Sequence, residues 1–178
     1  MLLYEQGKYY HIYNRGCDKG NIFQDTHDYE KLIQIIETSK HDEYVKIIAY
    51  SLMPNHYHLL VKQTTSKPVS KWIMYIFNAY VQYYNHRHNR SGTLFEGRAK
   101  VREINKDEYL NLVIHYIHSN PKAEIQKNYS SITKLNDNTI IDRDFYEEVF
   151  GSIENYYLSF SEYQSEKGQR EIIEKDLL

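Results

Sequence analysis

The sequence predicts an α+β fold in which an antiparallel β-sheet carries helices on one face. Segments rich in β-branched and aromatic residues alternate with segments whose apolar residues recur at helical spacing. Two strand segments are joined only by Met53-Pro54-Asn55, a connection short enough to favour antiparallel neighbours. With 178 residues and a hydrophobic content of 41%, the chain suits one compact domain with a sizeable core.

The first half of the chain predicts three strands and one helix. Residues 8–15 are rich in β-formers and indicate the first strand. Asp25 is typical of a helix N-cap, and the apolar spacing after it indicates a helix over residues 26–39. Residues 44–52 indicate a mostly buried strand, and residues 56–63 indicate its antiparallel neighbour.

In the second half, Pro68 opens another helix, and a polar, basic loop follows over residues 86–92. Residues 99–104 indicate a strand. Asp107 is the expected N-cap of a third helix, which ends before Pro121. The order β-α-β-β-α-β followed by an extra helix is that of a ferredoxin-like split βαβ fold.

The composition changes after Pro121, so we assign the main domain to residues 1–122 and a C-terminal helical extension to residues 123–178. Within the extension, two short helical patterns flank Gly151. The stretch from about Glu166 is polar and typical of a frayed end.

Charge is distributed unevenly along the chain. The net charge of −2 disfavours a generic nucleic-acid-binding protein. Residues 62–106, however, carry nine basic and two acidic side chains, a net charge of +7, whereas acidic residues prevail after Pro121. A local basic surface suits phosphate binding, although a solvated charged face gives the same pattern.

Cysteine usage and hydropathy narrow the class of protein. The single cysteine, Cys17, excludes an internal disulfide and a cysteine-based zinc cage. The sequence has neither an apolar run of membrane-spanning length nor a signal-peptide pattern at its N-terminus, which predicts a cytoplasmic protein without membrane partners.

The most informative motif is MPNHYHLLV over residues 53–61. Side chains alternate along a strand, so His56 and His58 share one face while Tyr57 points into the core. Two imidazoles on one face can hold a metal ion, but a tight site needs a third ligand. Two sheet histidines that bind no metal are the alternative.

The third helix offers such a ligand. Tyr116 and Asn120 are four residues apart and share a helical face, where the Asn120 carbonyl oxygen would complete a metal triad. A phenolic oxygen beside a divalent cation can attack phosphorus. The alternative is a core role for Tyr116, which falls on the apolar stripe, and an ordinary helix-end role for Asn120.

Four more histidines lie near these segments. His115 and His118 flank the helical tyrosine but face away from Asn120, which indicates a structural or phosphate-contacting role. His86 and His88 belong to the basic loop, where they could contact nucleic acid.

Four segments, in this order, resemble those of the REP-associated tyrosine transposases, a family of single-tyrosine HUH enzymes within the IS200-like transposases. The segments are YHIYNRG over residues 10–16, MPNHYHLLV over 53–61, RSGTLFEGR over 90–98 and YIHSNP over 116–121. Together they cover about residues 8–131, and their order makes the resemblance specific.

The resemblance implies a transposase that nicks and joins DNA. Tyr116 would attack a phosphate of single-stranded DNA, with a hairpin as the expected target, and leave a 5′-phosphotyrosine link and a free 3′-OH. His56, His58 and Asn120 would bind Mg²⁺ or Mn²⁺. Related enzymes include monomers and homodimers, so the oligomeric state stays open.

The predicted DNA-binding set is basic and comprises Arg15, Arg87, Arg90, Arg98, Lys100 and Arg102. Exposed aromatic side chains would stack on unpaired bases. Residues 1–122 would form the catalytic domain, and residues 123–178 an extension whose own contacts with DNA stay open. Two rival functions fit the residues: a non-catalytic nucleic-acid-binding protein, which forms no covalent adduct, and a metal-dependent phosphohydrolase, which uses water as its nucleophile.

Overall fold

The computed structural model describes residues 4–105, 107–136 and 140–165. Four strands form one sheet: β1 (Tyr9–Arg15), β2 (Val45–Met53), β3 (His56–Gln63) and β4 (Lys100–Ile104). They pair in the order β2-β3-β1-β4, and every pair is antiparallel. The predicted ferredoxin-like sheet is confirmed, and each strand begins within one residue of its predicted start.

The helices of the described chain are α1 (Thr26–Thr38), α2 (Val69–Arg87), α3 (Asp107–Ser119), α4 (Glu124–Lys127), α5 (Arg143–Phe150) and α6 (Ile153–Ser165). The Asp25 carboxylate caps α1 by accepting from the backbone N–H of His27 at 3.0 Å, as its position predicts. Helix α2 continues through Arg87, two residues into the predicted loop, because basic side chains are favourable in the last turn.

Helices cover both faces of the sheet. The buried Tyr57 ring of β3 stacks on Phe77 of α2, with centroids 4.2 Å apart. Helix α1 lies beside α2, and the Trp72 indole N–H donates to the Ser39 hydroxyl at the end of α1 across 2.8 Å. Helix α3 packs on β2 and β3 from the other side. The extra helix predicted after β4 therefore covers the face opposite α1 and α2.

The outer edge of β2 is covered by the chain that follows α3. The Leu52 N–H donates to the Tyr129 carbonyl at 3.1 Å, and the Tyr146 hydroxyl of α5 donates to the Ile48 carbonyl at 2.8 Å. A 3₁₀ turn over Ser131–Lys134 follows α4 in the same segment. These contacts satisfy backbone groups that an edge strand otherwise leaves unpaired.

Helices α5 and α6 occupy the two short helical patterns around Gly151, whose φ of 77° ends α5. The predicted frayed tail from Glu166 lies outside the described residues, as does the capping side chain of Asp107. In the part of the chain that the structure describes, no helix is long and apolar enough to cross a membrane.

Candidate active site

Strand β3 carries the two histidines of the motif on one face. The rings of His56 and His58 lie with centroids 5.4 Å apart, as side-chain alternation predicts. Tyr57 points to the opposite face, where it is 1% exposed and burial raises its pKa well above the ordinary value. Strand β3 thus separates an aromatic core from a face that presents two imidazoles.

Helix α3 brings Tyr116 and Asn120 to the imidazole face. The Tyr116 ring meets the His58 ring edge to face, with centroids 5.5 Å apart. The Asn120 side chain lies within hydrogen-bonding range of His56. Tyr116 is 6% exposed and still lines the cleft, so it packs on the sheet and borders the site at once.

Each predicted ligand has one polar atom held by a neighbouring group, and its second polar atom remains on the side of the cleft, where those of His56 and Asn120 lie close to each other. Nδ1 of His56 donates to the Asn55 side-chain oxygen at 2.7 Å, which leaves the lone pair of Nε2. Nδ1 of His58 contacts another imidazole at 2.9 Å, which again leaves Nε2. The Asn120 amide nitrogen donates to a backbone carbonyl at 2.8 Å, which leaves its oxygen. Two imidazole nitrogens and an amide oxygen form a donor set that suits a divalent cation.

The histidines of the site are held neutral. Burial lowers the pKa of His58 well below the ordinary value, and the nearby His11 and His56 lower it further. Burial also lowers the pKa of His56, and the hydrogen bond with Asn120 partly offsets this. A neutral imidazole has the lone pair that metal binding requires. Among the described residues, no group of three or more His, Cys, Asp or Glu side chains could hold a metal ion, so such a site depends on the amide of Asn120.

The site opens into a cleft of about 700 Å³ that β1, β3 and α3 border. Arg15 and Glu96 form a two-pronged ion pair at its mouth, in which Nη2 of Arg15 donates to Oε1 of Glu96 at 3.0 Å. The Lys100 ammonium lies over the Tyr13 ring, 5.5 Å from its centroid. The cleft therefore combines cations with an aromatic surface, as a nucleic-acid site does.

The pairing of β1 with β4 explains why the cations gather here. Lys100 is the register partner of Tyr13, and Arg102 is the register partner of His11. Directly paired residues of antiparallel strands share a face of the sheet. Lys100 and Arg102 thus lie on the imidazole face, with Arg15 at the mouth of the same cleft.

The other three predicted DNA contacts lie elsewhere. Arg87 bridges α2 to α1 through ion pairs with Asp25 at 2.8 Å and with the buried Asp28 at 2.7 Å. Arg90 donates to a carbonyl of its own loop at 3.0 Å. Arg98 borders a separate cavity between α2 and β4. None of these three lines the cleft described above.

His118 belongs to the packing of α3. Nδ1 of His118 pairs with the Tyr156 hydroxyl, and Nε2 lies 2.6 Å from the Ser131 hydroxyl. His115 is 5% exposed and packs among aromatic rings of α5 and α6. Of the two predicted roles, these contacts favour the structural one.

In the basic loop, Nε2 of His88 lies 3.0 Å from each carboxylate oxygen of the buried Asp28. This contact ties the end of α2 to α1, beside the ion pairs of Arg87. His88 thus takes part in the packing of the two helices.

A family model described as "Transposase IS200 like" matches residues 5–120 of the chain. The match spans the whole sheet, both cleft histidines and the α3 residues. The chain belongs to the IS200-like transposase family. The family expected from the motifs is confirmed, and the coarse function follows: a transposase, which acts on DNA. No curated protein matches the chain significantly.

Two solved structures are similar to this IS200-like transposase. One is a REP-associated tyrosine transposase bound to a REP hairpin, with 14% identity and a TM-score of 0.58 over 80% of this chain and 87% of that one. The other is a candidate transposase from Deinococcus radiodurans R1, with 16% identity and a TM-score of 0.45 over 68% of this chain and 100% of that one. The first similarity shows a shared fold.

Sequence reasoning missed one residue that contacts the candidate site. His11 of β1 is fully buried, and its Nε2 lies 2.9 Å from Nδ1 of His58. A signal was present, because His11, Tyr13 and Arg15 alternate along β1 and so share a face. Only the pairing of β1 with β3 connects that face to the motif.

Proposed function

We propose that the protein cleaves and rejoins single-stranded DNA, at a hairpin, through a covalent bond between Tyr116 and a 5′-phosphate. The observation that carries this proposal is that one cleft is lined by Tyr116, His56, His58 and Asn120, which come from two distant segments of the chain. Membership of a transposase family supports DNA as the substrate.

In the proposed reaction, the Tyr116 oxygen bonds to phosphorus while the bond from phosphorus to the 3′ oxygen breaks. The phenol gives up its proton to solvent, and the departing 3′ oxygen takes one up. The phosphotyrosine preserves the energy of the broken phosphodiester. The free 3′-OH can therefore attack it and rejoin a strand without ATP.

We further propose that Mg²⁺ or Mn²⁺ binds to Nε2 of His56, Nε2 of His58 and the side-chain oxygen of Asn120. When bound, such an ion withdraws negative charge from the scissile phosphate. The chain contributes orientation, because the other polar atom of each ligand is already held by a neighbouring group.

Three cations are proposed to guide the DNA strand to Tyr116. Lys100 and Arg102 share the face of the imidazoles, and Arg15 stands at the mouth of the cleft. Cations of this kind neutralise phosphates and fix the register of the strand. The Tyr13 ring beside Lys100 offers a surface for an unpaired base.

A hairpin is the proposed form of the substrate. Support comes from the structurally similar REP-associated tyrosine transposase, which was solved in complex with a REP hairpin. For residues 123–178 we propose a supporting role for α3, because the Tyr156 hydroxyl of α6 pairs with His118 of α3.

The test is incubation of the protein with a pool of single-stranded DNA hairpins and Mn²⁺, followed by a denaturing gel. The wild type is expected to form a covalent protein–DNA band together with a free 3′-OH that a polymerase can extend. Tyr116→Phe should form no band and retain DNA binding, because only the nucleophilic oxygen is removed. Tyr109→Phe, which removes a hydroxyl from the same helix, is the matched control and should behave as wild type.

Each rival function predicts a different result on the denaturing gel. Binding without an adduct in the wild type would favour a non-catalytic nucleic-acid-binding protein. Cleavage that leaves free 5′-phosphates and no adduct would indicate water as the nucleophile. Adduct formation by Tyr116→Phe at the wild-type rate would refute the role of this tyrosine.

A further inference from the structure

His11 lies directly behind His58 and has no part in the reaction proposed above. Its ring is fully buried in the sheet, and its Nε2 is 2.9 Å from Nδ1 of His58. The two rings are nearly parallel, at 12°, with centroids 5.1 Å apart. This is the geometry of a hydrogen bond that lies close to both ring planes.

A hydrogen bond between two neutral imidazoles has one donor and one acceptor, so two tautomeric arrangements are available. If His58 donates from Nδ1, its Nε2 keeps a lone pair that can bind a cation. If His11 donates from Nε2 instead, His58 carries its hydrogen on Nε2 and cannot act as a ligand there. The identity of the donor therefore decides whether His58 can bind a metal.

The second ring nitrogen of His11, Nδ1, indicates why a histidine occupies this position. Nδ1 of His11 is buried and has no hydrogen-bond partner among the residues that the structure describes. Leaving a buried polar atom unpaired is costly, and a residue needed only for packing would avoid that cost as Phe or Leu. A histidine at this position is explained by the hydrogen bond between its Nε2 and His58.

We propose that His11 is a positioning residue that sets the tautomer of His58. Nε2 of His11 accepts from Nδ1–H of His58. In this tautomer, Nε2 of His58 keeps its lone pair for a divalent cation in the cleft. His11 then carries its own hydrogen on the unpartnered Nδ1. This inference rests on the proposed function, since it requires His58 to be a metal ligand.

The first experiment measures Mn²⁺ affinity by titration calorimetry on the full chain without DNA. Relative to wild type, His11→Phe should bind Mn²⁺ about 10- to 100-fold more weakly, as is usual for loss of a partner behind a metal ligand. His11→Gln should stay within about threefold, because its amide oxygen can accept from Nδ1 of His58. His58→Ala is included as the ligand control.

The second experiment reads the tautomers directly. Nitrogen-15 NMR of the wild type with diamagnetic Mg²⁺ should show His58 and His11 both protonated on Nδ1. A merely structural role for His11 does not predict this signature. The NMR measurement uses the wild type, so its result does not depend on whether His11→Phe folds.

The outcomes separate the two proposals. If His58→Ala loses Mn²⁺ binding while a folded His11→Phe binds as wild type, the role of His11 is overturned and the metal site survives. The same holds if His58 is a ligand but His11 is protonated on Nε2. If the wild type binds no Mn²⁺, or His58→Ala binds it unchanged, the metal site fails and the role of His11 fails with it.

Discussion

The side-chain amide of Asn120 donates to the backbone carbonyl oxygen of Tyr116 across 2.8 Å. The Ser119 hydroxyl donates to the same oxygen at 2.9 Å. These bonds hold the proposed ligand and the proposed nucleophile in one turn at the end of α3. A shift of that turn would therefore move both groups together.

Asn120→Ala tests the third ligand. We expect the variant to bind Mn²⁺ about tenfold more weakly or worse, because two imidazoles alone make a poor site. Ser119→Ala removes the companion bond to the Tyr116 carbonyl and should leave Mn²⁺ affinity unchanged. Calorimetric titration of both variants checks the expectation, and wild-type affinity in Asn120→Ala would contradict it.

Arg102→Ala and Arg87→Ala separate DNA binding from helix packing. Arg102 lies on the imidazole face, so its loss should weaken single-stranded DNA binding and reduce the slope of log affinity against log salt by about 1. Arg87 is paired with Asp25 and the buried Asp28, so its loss should lower the melting temperature and leave the salt slope unchanged. Equal salt slopes in the two variants would count against this assignment.

Glu96→Gln tests the ion pair at the mouth of the cleft. The neutral side chain no longer competes with phosphate for Arg15, so DNA affinity should rise, most clearly at low salt. Glu103→Gln removes an equal charge from β4 on the opposite face and is the control. Fluorescence anisotropy at several salt concentrations measures both, and an equal gain in the two variants would mean that overall charge, not the pair, controls binding.

Acid should destabilise the protein through two buried histidines of α3. Burial lowers the pKa of His115 to about 4 and that of His118 to about 3, whereas an unfolded histidine titrates near 6.5. The unfolded chain then binds more protons, so stability present above pH ~6.5 is lost as the pH falls toward ~4. For His115 the loss is about 3 kcal/mol at most.

Urea denaturation between pH 7.5 and pH 4 measures this loss. His115→Phe keeps a ring among its aromatic neighbours and should flatten part of the pH dependence. An unchanged pH dependence in this variant would show that His115 does not contribute to it.

Removal of the C-terminal extension should expose the outer side of α3. His115 and His118 of α3 are buried against aromatic rings of α5 and α6, and α6 contacts α3. A chain that ends at Lys122 should therefore bind a hydrophobic dye and lose its cooperative melting transition. Tyr156→Phe, which loses only the bond to His118, should cost about 1 kcal/mol. A cooperative, dye-free truncated chain would identify residues 1–122 as an independent domain.

Patterns among neighbouring residues were enough to predict much of the fold and which candidate site residues share a face of one strand or one helix. The alternation of a strand puts His56 and His58 on one face and Tyr57 on the other, whatever the rest of the chain does. The spacing of four residues does the same for Tyr116 and Asn120 in a helix. The N-cap at Asp25 and the short turn before β3 likewise depend only on neighbouring residues.

Contacts between residues far apart in the sequence could be identified only from the tertiary structure. The ion pair between Arg87 and Asp28 joins residues 59 positions apart, so charge along the sequence could not distinguish a paired cation from one available to phosphate. The role of His11 depends on the register of β1 against β3, and the position of Arg102 depends on the register of β1 against β4.

The sequence by itself determined the strands, the helices other than α4, the family and the residues that could act together. The tertiary structure alone decided which face of the sheet α3 covers, and hence that Tyr116 meets His58 of β3. The physical reason is the distance along the chain over which each kind of interaction acts. Periodicity and capping act over a few residues, whereas strand register and helix packing are set by burial summed over the whole core.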